Sequence, residues 1–136
     1  MARNTLKLQI ETKIKRSRKN IFLRKDFEKL GGYVQIGRAL GELTDNGILI
    51  KIGYGLYAKA EPNPLTGKPM FMADGGFLEV SEEALNRLKV KWKRAEEFRL
   101  ENNQSMQVPA NPSVEILDRF SRKIGTDKYT LKIVKH

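Results

Sequence analysis

The sequence predicts a mixed α+β protein, and three observations along the chain carry that prediction. Apolar residues recur at helical spacing before residue 46, two short apolar runs joined by glycines follow, and a proline-rich stretch begins at residue 61. Helical spacing puts every third or fourth residue on one face, whereas paired apolar runs are typical of a β-hairpin. We therefore expect an N-terminal domain at 1–60, a linker at 61–70 and a small α+β extension at 71–136.

Three helices are predicted ahead of the hairpin. They run from Thr5 to about Ser17, from Arg24 to Leu30, and from Tyr33 to about Asn46, and a Gly-Gly pair separates the last two. In the last helix the apolar residues fall at i, i+4 and i+7, which predicts one stripe against a core. The predicted core consists of Ile10, Ile14, Phe22, Phe27, Leu30, Ile36, Leu40, Leu43, Ile48, Ile50 and Tyr57.

The hairpin completes a recognisable order of elements. Strands are predicted at Ile48–Ile52 and Leu56–Ala60, joined by Gly53-Tyr54-Gly55. Two helices, a glycine turn, a third helix and a hairpin form the order of a winged helix-turn-helix. Gly37 and Gly41 are poor helix formers in the third helix, so we expect another backbone to pack closely there.

The second half predicts shorter elements. Ser81 is a predicted N-cap, because Glu82 and Glu83 follow it and suit the positive end of a helix dipole. A further helical piece is predicted from about Trp92 to Leu100. The expected short strands are Met106–Val108, Val114–Leu117 and Tyr129–Val134.

Positive charge is concentrated in the first half. The chain carries 26 basic and 16 acidic residues, a net charge of +10; residues 1–60 account for 13 basic and 5 acidic ones, a net +8. Seven basic residues and no acid lie between Lys13 and Lys25. A basic face of this kind predicts contact with a polyanion, and we expect it to be double-stranded DNA.

Within a helix-turn-helix, the last helix enters the major groove and its first turns contact base edges. Arg38 suits guanine and Gln35 suits adenine, because each side chain can form two hydrogen bonds to that base. An ion pair between Arg38 and Glu42, one turn apart, is the alternative. The predicted base-contact residues are Tyr33, Gln35, Arg38 and Glu42. The predicted backbone and wing contacts are Arg16, Arg18, Lys19, Arg24, Lys25, Lys51, Tyr54 and Lys59.

The stretch Lys15–Ala60, above all Gly37-Arg38-Ala39-Leu40 and the run from Lys51 to Ala60, resembles the winged-helix module of AbiE-type antitoxins and related small bacterial transcriptional regulators. Later segments, including Leu65-Thr66-Gly67-Lys68-Pro69, extend the resemblance over most of the chain. It implies a bacterial, phage or mobile-element DNA-binding protein that represses its own operon. A cognate toxin is the further partner that it implies, and a homodimer is a further expectation from the palindromic sites of such proteins.

Other classes have less support from the residues. The chain has no cysteine and a single histidine, His136, and it contains no phosphate loop or metal-ligand spacing, so we expect no enzyme, no metal and no cofactor. The acids Asp74, Glu79, Glu82 and Glu83 are the only hint of a nuclease. A protein-interaction module that neutralises a toxin, and an RNA-binding protein, remain alternatives. No apolar run approaches the roughly 18 residues of a bilayer span, so we expect a cytoplasmic protein without a membrane partner.

Overall fold

The computed structural model describes residues 5–94, 113–118, 120 and 122–134, and it confirms a mixed α+β class. The chain divides into two compact units, Met1–Asp74 (unit 1) and Gly75–His136 (unit 2), so the division falls later than the predicted 60/70 boundary. The described elements of unit 1 are α1 (Leu6–Arg16), β1 (Ile21–Leu23), a 3-10 helix (Arg24–Phe27), α2 (Tyr33–Asp45), β2 (Leu49–Gly53), β3 (Leu56–Pro62) and β4 (Pro69–Phe71). Those of unit 2 are α3 (Gly76–Arg87), β5 (Trp92–Arg94), β6 (Ser113–Ile116) and β7 (Lys132–Val134).

Helices α1 and α2 begin and end close to the predicted residues, whereas the helix predicted at Arg24–Leu30 is a 3-10 helix that ends at Phe27. Thr5 caps α1, because its hydroxyl accepts a hydrogen bond from the Leu8 backbone N–H at 3.2 Å. The carboxylate of Asp26 accepts the Leu23 N–H at 2.9 Å and so fixes the start of the 3-10 helix. Gly47, at a φ of +79°, follows α2 and turns the chain into β2.

The sheet of unit 1 has the strand order β1-β3-β2, and both pairings are antiparallel. Phe22 of β1 lies opposite Tyr57 of β3, and both belong to the buried cluster that includes the apolar stripe of α2. Directly opposite residues share one face of a sheet, so this face packs against the helices.

The proline-rich stretch at 61–70 is not a linker. Strand β3 continues through Pro62 and pairs with β4, with Ala60 opposite Phe71. The side chain of Asn63 holds the turn between them, because its Oδ1 accepts the backbone N–H of Leu65 at 2.8 Å. Proline is tolerated here because the strand ends leave some backbone positions outside the ladder.

Three residues of the predicted core are less buried than expected. Leu30 is exposed beyond the 3-10 helix, and Ile48 and Ile50 are only partly buried. Leu49 and Ile52 are buried instead. Leu49 belongs to the buried cluster with α2 in the regular part of the strand register, so the predicted alternation was assigned to the wrong face. A bulge between Lys51 and Gly53 then shifts the register at Ile52.

Unit 2 differs more from the prediction. Helix α3 begins at Gly76, so Ser81 is a buried residue in the helix interior and not its N-cap. The helical piece predicted from about Trp92 to Leu100 begins as strand β5, because β5 pairs with β6, and its residues 95–100 lie outside the described residues. The predicted strand at Val114–Leu117 is confirmed as β6, and that at Tyr129–Val134 is confirmed in its last three residues as β7. The predicted strand Met106–Val108 lies outside the described residues.

The sheet of unit 2 has the order β5-β6-β7, antiparallel and then parallel. Phe77 stacks on Tyr129, with ring centroids 5.3 Å apart. Arg94 donates two hydrogen bonds to the Glu82 carboxylate, at 2.8 and 3.2 Å, and this contact raises the pKa of the guanidinium. Over the described ranges of the chain, none of the helices combines the length and apolar character that crossing a bilayer requires.

Candidate nucleic-acid interface

Helix α2 presents one buried face and one open face. Ile36, Leu40 and Leu43 lie in the core, as the stripe predicts. At 100° per residue the side directly opposite carries Val34 and Arg38, followed by Gly41 and Asp45 at the same spacing. We call these four residues, Val34, Arg38, Gly41 and Asp45, the outward face of α2; all four are exposed.

The first turn of α2 is joined to the tip of the hairpin. Arg24 donates a hydrogen bond to the Tyr33 carbonyl at 2.6 Å, and its guanidinium lies 3.7 Å from the centroid of the Tyr33 ring. Tyr54 lies at the hairpin tip, and its hydroxyl is hydrogen-bonded to the Tyr33 hydroxyl at 3.3 Å. Arg24 also donates its backbone N–H to the Gly55 carbonyl at 3.1 Å. These contacts set the position of the tip relative to the helix.

The two glycines of α2 have different surroundings, and neither meets another backbone. A Cβ on Gly37 would lie 1.9 Å from Nη2 of Arg24, so the glycine leaves room for that guanidinium. A Cβ on Gly41 would meet no atom within 4 Å. The predicted close approach of a second backbone is therefore wrong. Gly37 makes room for the Arg24 side chain, and Gly41 leaves open space on the outward face.

A groove of about 540 Å³ runs beside the outward face, between α2 and strand β2. Lys51 lies opposite Tyr57 in the strand register, and both side chains line it. Three of its lining residues are cationic and one is acidic, so the groove carries a net positive charge. The lining residues are Arg24, Val34, Gly37, Arg38, Gly41, Thr44, Asp45, Lys51 and Tyr57.

Two of the predicted base-contact residues point toward a different flank of α2. Glu42 forms an ion pair with Lys7 of α1, Nζ to Oε2 at 3.9 Å, and Gln35 lies beside the Gly-Gly turn at 31–32. Arg38 makes no hydrogen bond or ion pair with any other described residue, so the alternative of an Arg38–Glu42 pair is not observed in this part of the chain. The structure therefore separates Arg38 from Gln35 and Glu42.

Some cations of the basic stretch have structural partners. Lys13 donates to the Asp26 carbonyl at 2.8 Å, and its ammonium lies 5.5 Å from the centroid of the Phe27 ring. Lys15 pairs with Glu11 at 3.0 Å, one turn away. Lys59, a predicted DNA contact, donates instead to the Ser17 carbonyl at 2.8 Å and ties β3 to the end of α1.

The remaining cations fall into two groups at opposite ends of β1. Arg16, Arg18 and Lys19 precede the strand, whereas Arg24 and Lys25 follow it at the end near the hairpin tip. A three-residue strand separates the groups by roughly 10 Å. The predicted basic cluster is therefore two clusters, and only the second adjoins the first turn of α2.

Two tyrosines at this site have shifted pKa values. The hydrogen bond with Tyr33 raises the pKa of Tyr54, and burial raises the pKa of Tyr57. Arg24 lies close enough to both phenols to oppose these shifts. Both phenols therefore stay neutral near neutral pH.

The acids considered for a nuclease have separate surroundings. Glu79 accepts the Gly75 backbone N–H at 3.3 Å, and Glu82 binds Arg94. Among the residues that the structure describes, no group of three or more His, Cys, Asp or Glu side chains could hold a metal ion.

Val34, like Gly41 and Asp45, is a residue of the outward face that the sequence prediction omits as a contact. It is 67% exposed, next to Tyr33 at 63%, and Tyr54 at the hairpin tip is 74% exposed. The signal was present, because Val34 is four residues before Arg38 and falls opposite the buried stripe. Its apolar character hides it when only polar outward residues are selected.

The family models, the curated proteins and the solved structures contain no match to this chain.

Proposed function

We propose that unit 1 is a winged helix-turn-helix and that the chain binds double-stranded DNA sequence-specifically, as a transcriptional regulator. Helix α2 is the recognition helix in this proposal, and the β2–β3 hairpin is the wing. The observation that carries it is Arg38: an exposed arginine, without a partner among the described residues, on the outward face of a helix with a cationic groove beside it.

The order of elements supports the fold. Helix α1, strand β1, the 3-10 turn, α2 and the β2–β3 hairpin follow one another, and β1 closes the sheet beside β3. In a helix-turn-helix the second helix needs an outward side free of the protein's own side chains, so that it can enter a major groove about 12 Å wide. Gly41 supplies that clearance.

Charge supports DNA as the ligand. Unit 1 carries 14 basic and 7 acidic residues, a net +7, against 12 and 9, a net +3, for unit 2. The first turn of α2 contains no acid, and its N-cap is a glycine, so the positive end of the helix dipole is not neutralised locally. Phosphates suit backbone N–H groups at such a helix start.

Each contact then has a role. Arg38 hydrogen-bonds a base edge in the major groove, Lys51 and Lys25 bind phosphates, and the exposed Tyr54 meets the duplex beside the groove. Arg24 acts mainly through Tyr33, because its guanidinium lies against that ring and holds the wing tip in place.

Selection from a random duplex library tests the proposal. The full chain should enrich a single motif, and Arg38→Ala should relax the preference at one position while retaining weak, unspecific binding. Gln35→Ala is the matched control, because Gln35 lies on the other flank, and it should return the wild-type motif. Equal recovery of all sequences by the wild-type chain, or preferential capture of single-stranded RNA competitor, would contradict the proposal.

A further inference from the structure

We propose that Val34 reads the methyl group of a thymine, and that this thymine lies within two base pairs of a guanine bound by Arg38. This inference rests on the proposed function and names the base step that the same surface recognises.

Val34 is hard to explain by folding. It is two-thirds exposed on α2, and it belongs to the β-branched residues, which have lower helix propensity than alanine or leucine. It lies on the outer side of the helix, opposite the core stripe, so burial in unit 1 does not offset this lower propensity. An exposed apolar side chain beside an arginine suits a contact with the thymine C5 methyl, the only apolar group on a major-groove base edge.

The neighbouring aromatic residues leave this contact to Val34. Arg24 covers one side of the Tyr33 ring, and the Tyr33 hydroxyl is engaged with Tyr54. Tyr33 therefore makes its contacts with Arg24 and with the wing tip. Val34 is the aliphatic side chain of the outward face.

Helix geometry limits the distance between the two bases. Val34 and Arg38 are four residues apart on one face, a rise of roughly 6 Å along the helix. Successive base pairs along a strand are about 3.4 Å apart. The rise between the two residues corresponds to about two base-pair steps, which predicts a thymine and a guanine, on the same or opposite strands, within two base pairs of each other in the preferred site.

Base analogues in the selected duplex test the inference. Deoxyuridine replaces each thymine in turn and removes only the methyl group, and 7-deazaguanine replaces each guanine and removes the N7 acceptor. At one thymine, deoxyuridine should weaken wild-type binding about fourfold, which is the equivalent of ~0.8 kcal/mol for one apolar carbon. Val34→Ala should show a clearly smaller deoxyuridine penalty, because its shorter side chain makes less contact with the methyl group.

The same experiment assigns the guanine. 7-Deazaguanine should weaken the wild-type chain at one guanine within two base pairs of that thymine, and should have no effect on Arg38→Ala. Val34→Ala replaces an exposed residue with a better helix former, so we expect it to fold. Gln35→Ala should keep both analogue penalties.

Each outcome has a distinct meaning. Selective binding with no deoxyuridine penalty at any thymine, or with an undiminished penalty in Val34→Ala, overturns the inference and leaves sequence-specific DNA binding intact. A sensitive thymine farther than two base pairs from the sensitive guanine also overturns it. Failure of the wild-type chain to select any duplex overturns the proposed function, and this inference with it.

Discussion

Two surfaces of helix α2, the flank toward α1 and the outward face, both carry polar residues in the sequence but have different surroundings in the fold. On the flank toward α1, Glu42 is paired with Lys7, and Gln35 lies by the Gly-Gly turn. On the outward face, Arg38 has no partner among the described residues and lines a groove together with Gly37 and Gly41. The two surfaces of α2 therefore differ in whether their polar side chains already have partners within the protein and in whether there is open space beside them.

The largest expected effect is on duplex affinity, which should differ between a substitution of Arg38 on the outward face and one of Glu42 on the flank toward α1. Arg38→Ala should lose about 1–3 kcal/mol of affinity for the selected duplex, because a two-pronged hydrogen bond to a base is lost. Glu42→Ala should leave duplex affinity unchanged or slightly increased, since it only breaks a half-exposed ion pair and removes a negative charge. Fluorescence anisotropy with a labelled duplex measures both. Equal losses in the two variants would contradict the distinction between the surfaces.

Gly41 should separate stability from binding. In Gly41→Leu the new side chain meets open space, and the change from glycine to a strong helix former should raise the free energy of unfolding by up to about 1 kcal/mol. The same side chain fills the clearance on the outward face and should weaken duplex binding several-fold. Gly41→Ala is the control, because it should stabilise similarly with a smaller loss of binding. Thermal unfolding and anisotropy are the measurements, and unchanged binding by the leucine variant would place the duplex elsewhere.

The two basic groups at either end of β1 should contribute unequally. Lys25→Ala should reduce the slope of log affinity against log salt by about 0.9, the value for one phosphate contact. Arg18→Ala should leave the slope unchanged, because its group lies at the end of β1 away from the hairpin tip. Matching slope changes would mean that the duplex covers both ends of the strand.

Burial of Tyr57 beside the groove should give a small alkaline effect. The pKa of Tyr57 is raised in the folded chain above its usual 10.0, so the folded state holds its proton when the unfolded state has released it. Stability is then full below pH 10 and falls as the pH rises through the folded pKa. Tyr57→Phe keeps the ring but not the proton, so its free energy of unfolding should fall less steeply above pH 10. Parallel slopes for the two chains would contradict this assignment.

The elements of unit 1 follow from local sequence signals. The apolar stripe of α2 and the glycine-flanked hairpin are encoded within a few residues each, and the structure has both where they are expected. Burial was predicted at Ile48 and Ile50, but Leu49 and Ile52 are buried, because the face of β2 that meets the helices, and the bulge near Ile52, depend on how the strand meets its partners.

Longer-range contacts account for the remaining differences. Residues 61–70 look like a linker because prolines are frequent there, but the strand pairing of Ala60 with Phe71 is not visible in local composition. Trp92 has the spacing of a helix and forms a strand because a distant segment pairs with it. At the site, Arg38 was predicted from residue type and helical position, whereas the partners of Lys59 and Glu42 depend on α1.

Salt-dependent binding of the full chain to a duplex tests the central claim most directly. The two cations assigned to phosphates, Lys25 and Lys51, predict a slope of about −1.8 for log affinity against log salt. Affinity should therefore fall roughly 12-fold between 50 and 200 mM salt. Absence of duplex binding at 50 mM salt, or equal affinity at 50 and 200 mM salt, would contradict the claim that α2 enters the major groove of DNA while nearby cations bind its phosphates.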